Sequence, residues 1–237
     1  MRYGVFGDVH GNLEALDAVI DAMHTAGVER FLCLGDIVGY GADPAACIDR
    51  VRRLDAVIVA GNHDLATAQM LDISHFNAFA RETLEWCRRA LGAEDRRFLE
   101  APNLVEVVDG RVTVFHGTLH LPEEFGYIQS LEDALLSFSF LRTPVGFFGH
   151  SHVPVAFRLC GDGIAVLQNP RTVLTRDCRY LFNPGSVGQP RDGDARAAFA
   201  VYDTARAAVQ FHRVAYDVET AQDKIRQAGL PEIIWER

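Results

Sequence analysis

The sequence predicts an α/β fold. Three observations carry that expectation. Short apolar runs alternate with stretches of helical periodicity through the first hundred residues; each early apolar run stops at a glycine; and β-type alternation takes over after Pro102. Hydrophobic residues make up 49% of the 237 residues and charged residues 23%, the balance of an ordinary globular chain. The longest apolar runs, such as Leu135–Leu141, are core-sized and fall short of the roughly 18 residues needed to cross a membrane.

Taken in order, Arg2–Phe6 is a short strand ending at Gly7. Leu13, Leu16, Ile20 and Met23 recur at helical spacing, and Gly27 closes that helix. Arg30–Leu34 is a second strand ending at Gly35. Pro44 starts a helix that continues through Ala45–Arg53, and Ala56–Ala60 is a third strand ending at Gly61. Strands separated by helices imply βαβ units and parallel pairing. Phe76–Leu99 is mostly helical with a break at Gly92. Leu104–Val108 and Val112–Phe115 flank Asp109-Gly110 as a hairpin. Leu131–Leu141 is helical and Val145–Phe148 is a buried strand. Short strands follow at Val155–Leu159, Ile164–Leu167, Tyr180–Phe182, Ala198–Tyr202 and Val209–Val214, and a helix over Asp217–Ala228 ends the pattern. There is no repeat and no linker-like tract, so residues 1–237 are expected to form one domain.

The charge balance is acidic: 23 basic against 32 acidic residues give −9, and Lys224 is the sole lysine. Bulk nucleic-acid binding is therefore disfavoured. The N-terminus meets glycine and acid within eight residues and lacks a signal-like apolar stretch, so a cytoplasmic protein without membrane attachment is expected. The five cysteines are odd in number and lack any CxxC pair, so reduced, mostly buried thiols are expected.

Polar groups gather just past the strands. Asp8, His10 and Asn12 follow the first, Asp36 the second, and Asn62, His63 and Asp64 the third. His116 follows the run VTVF, and His150 and His152 follow VGFF. In open α/β sheets this edge is where ligands bind. Each group alone has a bland explanation, such as a helix cap or a core histidine. Five strand ends all delivering N or O donors do not, because polar groups beside a core are costly. Imidazole, carboxylate and carboxamide together suit Mn, Fe or Zn better than Ca, and seven donors are too many for one tetrahedral ion. They suffice for two divalent ions of the kind used in attack at phosphorus. His24, His75 and His212 fit no such pattern and are assigned to structure or surface.

The ordered set GDVHGN, GDIVGYG, GNHD, a lone histidine after a strand, and GHSH resembles the calcineurin-like metallophosphoesterase superfamily over Gly7–His152. The resemblance implies a four-layer αββα sandwich of two mixed sheets flanked by helices, with a dinuclear site at one edge. It implies that Asp8, His10 and His152 hold one cation, that Asn62, His116 and His150 hold the other, and that Asp36 bridges them. His63 matches the histidine that protonates the leaving oxygen, with Asp64 to orient it. Asn12 matches a residue that shapes the loop or contacts phosphate.

The resemblance further implies hydrolysis of a phosphoric ester by in-line attack of a hydroxide shared by the two cations. The run Asn183–Arg191 is similar to a loop in a prokaryotic branch that includes small phosphodiesterases and dinucleoside polyphosphate hydrolases. The arginine and aspartate of the protein-phosphatase form GD-x-V-D-R-G are missing after Asp36, which disfavours protein dephosphorylation. A phosphodiesterase acting on a small phosphate ester is thus the leading expectation. A dinucleoside polyphosphate hydrolase and a metal-binding scaffold with little turnover stand as alternatives. Tyr40, His120, Phe125, Tyr127 and Arg191 lie near the motifs; Tyr40 and Arg191 are the expected substrate contacts, the aromatic residues by stacking a nucleobase and Arg191 by holding a second phosphate bidentately. Oligomeric state is not legible.

Overall fold

The computed structural model describes residues 1–235. Its strands are β1 (Arg2–Phe6), β2 (Arg30–Cys33), β3 (Val57–Ile58), β4 (Val105–Val108), β5 (Val112–Phe115), β6 (Val145–Phe147), β7 (Val155–Cys160), β8 (Gly163–Leu167), β9 (Arg171–Val173), β10 (Arg179–Asn183), β11 (Ala197–Asp203) and β12 (Ala208–Val214). Its helices are α1 (Leu13–Thr25), α2 (Pro44–Arg53), α3 (Asn62–Thr67), α4 (Ala78–Ala90), α5 (Ala93–Glu100), α6 (Leu131–Phe140), α7 (Val218–Gln227) and α8 (Glu232–Trp235). One sheet has the order β3-β2-β1-β11-β12-β9 and the other β4-β5-β6-β10-β7-β8. Both are mixed. The first three strands run parallel, as do β5, β6 and β10, and hairpin-type pairs complete each sheet.

Two-residue alternation explains the layers. Val5, Leu32 and Leu34 face Val114, Phe147 and Phe182 across the space between the sheets. Their neighbours Phe6, Phe31 and Cys33 face the other way and pack on Leu16, Val19 and Val51 of α1 and α2. On the second sheet Phe115, Phe148 and Leu181 turn outward onto Ala134 and Phe138 of α6. The result is the expected helix–sheet–sheet–helix sandwich. Asn12 caps α1 by accepting from Ala15 N, and Ser130 with Asp133 forms a capping box on α6.

Some expectations need revision. The third strand pairs over only Val57–Ile58, because Ala60 N instead donates to Asn103 O at 2.9 Å. The GNHD run opens the helix α3, which the short pattern did not reveal. The strand β9 was not anticipated, its three residues being too few to show alternation. The expectation of five reduced thiols also fails: Cys160 and Cys178 form a disulfide, while Cys33, Cys47 and Cys87 are free and buried. Arg179 pairs with Leu159 across the β7–β10 ladder, so Cys178 falls opposite Cys160, a neighbour relation that spacing in the chain does not display. Among the described residues no helix is long and apolar enough to cross a membrane.

The two bridged cysteines are 18 positions apart, and closing a loop of that size stabilises by about 3 kcal/mol. Changing both to Ser should lower the melting temperature of oxidised protein by several degrees and leave reduced protein unaltered. Thermal melts with and without dithiothreitol decide this, and identical melts would show that the bond contributes nothing.

Candidate metal centre

The parallel strands deliver their donors to one edge. Asp8 and His10 follow β1, Asp36 follows β2, Asn62 and His63 open α3 after β3, His116 follows β5, and His150 and His152 follow β6. All eight are between 0 and 8% exposed. Asp8, His10, Asp36, His150 and His152 take left-handed backbone, with φ from 51° to 68°, where a side chain costs about 1 kcal/mol or more. Neighbouring loops hold them there. Asp8 N donates to Gly35 O at 3.0 Å, His10 N to Asp36 O at 2.9 Å, and Gly188 N to Asp8 O at 2.9 Å.

Ligand atoms of Asp8, His10 and His152 lie within 4.8 Å of one another, as do those of Asp36, His116 and His150. The Asp36 carboxylate touches both groups, 3.6 Å from His10 Nε2 and 3.3 Å from His116 Nε2. Asn62 Oδ1 lies 3.2 Å from His116 Nε2. His63 forms a third such group with His10 and Asp36.

Tautomers test whether these donors fit a cation. His10 Nδ1 faces Val38 O at 3.1 Å, His116 Nδ1 faces Leu34 O at 2.7 Å, and His152 Nδ1 faces Gln189 O at 2.7 Å. A carbonyl oxygen only accepts, so each Nδ1 carries the proton and, in the neutral ring, each Nε2 presents a lone pair to the centre. His10 Nε2 and His152 Nε2 then oppose lone pairs only 3.0 Å apart. Such a crowd of bare nitrogens and carboxylate oxygens suits a divalent cation.

Burial pushes Asp8 and Asp64 up to about 7. It pushes His10 and His152 well below the usual imidazole value, His150 down to about 3 and His63 down to about 4. For His116, burial acts downward too, yet the adjoining Asp36 carboxylate outweighs it and lifts the ring to about 9. Burial works against the Asp36 anion, but His116 and His63 hold it well below the carboxylate range.

The expected substrate residues divide. Tyr40 and Arg191 line a cleft of about 570 Å³ above these donors, together with Phe125 and Tyr127. His120 lies aside, with its ring 5.4 Å from Phe140. Asn12 shapes its loop: its Oδ1 caps α1, and its Nδ2 donates to Gly188 O at 3.1 Å and Tyr216 Oη at 3.3 Å. Asp64 does not orient His63. Its carboxylate accepts from the backbone of Ile37, Val38 and Gly61, fastening two loops, while His63 Nδ1 has no partner. His75, assigned to structure or surface, lines the cleft, as does Phe76, whose ring meets His63 edge-on at 5.4 Å. Neither followed a strand, so the strand-end rule missed both.

The role of the Asn183–Arg191 run is bracing. Ser186 Oγ donates to Asp8 O at 2.8 Å, and Asn183 Nδ2 donates to Gly149 O at 2.7 Å.

Fold and donor set together define a metallophosphoesterase, a metal-dependent hydrolase of phosphoric esters. The chain belongs to the calcineurin-like phosphoesterase superfamily, whose domain profile matches residues 1–207. It is 35% identical to protein MJ0912 of Methanocaldococcus jannaschii, over 98% of this chain and 95% of that one. A metallophosphoesterase crystal structure from Sphaerobacter thermophilus is similar with a TM-score of 0.87 and 39% identity, covering 100% of this chain and 97% of that chain. The phosphodiesterase YfcE of Escherichia coli is 26% identical over 86% of this chain and 88% of its own.

Two outcomes follow. A Cβ on Gly61 would press on the Asp36 carboxylate and backbone nitrogen. Gly61→Ala should therefore weaken Mn²⁺ binding at least tenfold by calorimetry, with the circular dichroism unchanged. The second concerns pH.

Without cations, Asp8 and Asp64 keep protons in the folded state above their ordinary 3.8, so their contribution falls as pH rises toward about 7. That of His116 is complete below 6.5 and lost through about 9. The depressed histidines, His63 and His150 among them, act oppositely and lose their contribution as pH falls below 6.5. Chelated protein should melt highest at about pH 6–7, and Mn²⁺ should raise the melting temperature more at pH 8 than at pH 6, because cations compete with protons for the donors.

Proposed function

We propose that this protein is a phosphodiesterase working with two divalent cations, most naturally Mn, Fe or Zn, on a small phosphate ester. The position of Asp36 between the two donor groups carries the reading: it lies 3.6 Å from His10 and 3.3 Å from His116, and among the described residues it is the carboxylate grouped with donors of both sets. In this reading Asp8, His10 and His152 hold one cation and Asn62, His116 and His150 the other. The likeness to a phosphodiesterase over 86% of the chain supports a diester substrate. The complete donor set favours turnover over a docking role without it.

When bound, the cations supply Lewis acidity, drawing charge from phosphate oxygens and making water acidic enough to ionise near neutral pH. The chain's own residues do the rest. Arg191, held by Gln189 Oε1 at 2.8 Å, presents a guanidinium to a non-transferring phosphate oxygen. His63 lines the cleft beside the donors, so its ring stands where it can hydrogen-bond the ester oxygen. Burial keeps that ring neutral, and an arriving phosphate anion favours its protonation as Asp36 already does. Water that has given one proton to solvent bonds through its oxygen to phosphorus in line as the ester P–O bond breaks, and the His63 proton passes to the departing alkoxide. One displacement inverts the configuration at phosphorus.

His63→Ala should lower kcat for a dialkyl diester, whose leaving group is an alkoxide, by about 100-fold or more, and cost much less when p-nitrophenolate leaves. Asp36→Asn should abolish both activities. Assays with bis(p-nitrophenyl) phosphate, an alkyl diester and a monoester on Mn²⁺-loaded protein test this; equal losses for good and poor leaving groups would remove His63 from the proton-donor role.

A further inference from the structure

The cleft is divided by charge. Its floor carries the donor set and Arg191, which among the described residues is the one arginine or lysine lining it. Exposed carboxylates line it farther out, from two separate segments. Asp72 is fixed by Ser74, whose N donates to Oδ1 at 3.0 Å. Glu123 and Glu124 sit on a single 3-10 turn, Pro122–Glu124, set between the left-handed residues Leu121 and Phe125. That backbone fixes where the turn presents its acids, and no arginine or lysine of the described residues forms an ion pair with either.

Acids are the wrong lining for a long anionic chain. One phosphate over the floor meets cations and Arg191, but each further phosphate running outward meets carboxylates instead. The remaining wall is aromatic. Tyr127, a residue 47% exposed, stacks on His150 with ring centroids 4.1 Å apart, and Phe76 stands beside His63. A flat group has a surface to lie on there.

We propose that the cleft selects phosphodiesters whose only negative charge is on the phosphorus under attack, with a flat neutral or cationic alcohol against Tyr127, and that Glu123, Glu124 and Asp72 turn polyphosphate chains away. This rests on the phosphodiesterase reading above and sets the dinucleoside polyphosphates aside as substrates.

The test compares wild type with the double variant Glu123→Gln, Glu124→Gln, both loaded with Mn²⁺. The ratio of kcat/KM for diadenosine tetraphosphate to that for bis(p-nitrophenyl) phosphate should favour the diester in wild type and rise about tenfold in the variant at low salt. The rise should shrink as salt screens the acids. Calorimetry with tripolyphosphate, given as its manganese complex with excess Mn²⁺ in both solutions, should show tighter binding to the variant by a similar factor. An unchanged ratio together with unchanged tripolyphosphate affinity overturns the proposal, as does a wild type that prefers the tetraphosphate. Tighter tripolyphosphate binding by the variant with no diester hydrolysed by either protein supports the charge selection and removes the phosphodiesterase reading instead.

Discussion

Asp36 is the constraint on which the rest of the site depends. Its carboxylate reaches His10 from one strand end and His116 from the other sheet, and it also accepts from His63 N at 2.8 Å. A buried anion survives only with such company. Its left-handed backbone, the bare Gly61 beside it and the Asp64 carboxylate fastening the loop are the local conditions for that company. The two sheets are thus joined by apolar side chains between their faces and by charged groups at their shared edge, Asp36 and Asp8 among them.

The floor of the site is rigid and its walls are borrowed from elsewhere. Backbone carbonyls of Val38, Leu34 and Gln189 fix three imidazoles, and each carbonyl belongs to a loop that is itself bonded to a neighbouring loop. Tyr40 packs on His10 and His63 from one side and on Ile225, Leu230 and Ile234 from the other, so α7 and α8 back the cleft without contributing a donor. Lys224 secures that arrangement through Asp43 at 2.8 Å and through Glu14. These helices lie past residue 207, where the family match ends.

Much of this was legible in the sequence, for a physical reason. A buried strand that ends in a polar cluster announces itself through the abrupt change from YGVF to Asp8 and His10, or from FLCL to Asp36. Boundaries and partners were less legible. α3 is six residues, too short for a period to register. The Cys160–Cys178 bridge depends on which strands pair, and the bonding partners of Asn12 and Asp64, Gly188 and Ile37 among them, are likewise set by the fold. His75 and Phe76 reach the cleft from a loop with no pattern of its own.

The bracing of Asp8 by Ser186, 178 positions later, has a consequence for biosynthesis. The loop at Asp8 is made well before Ser186 and lacks this hydrogen-bonding partner until the run through Arg191 has followed it. β1, likewise, must wait for β11 to take its place beside it. The donor edge therefore stays unbraced until the chain through Arg191 has been made. Closure over so long a separation also makes the last folding step slow compared with formation of the local hairpins.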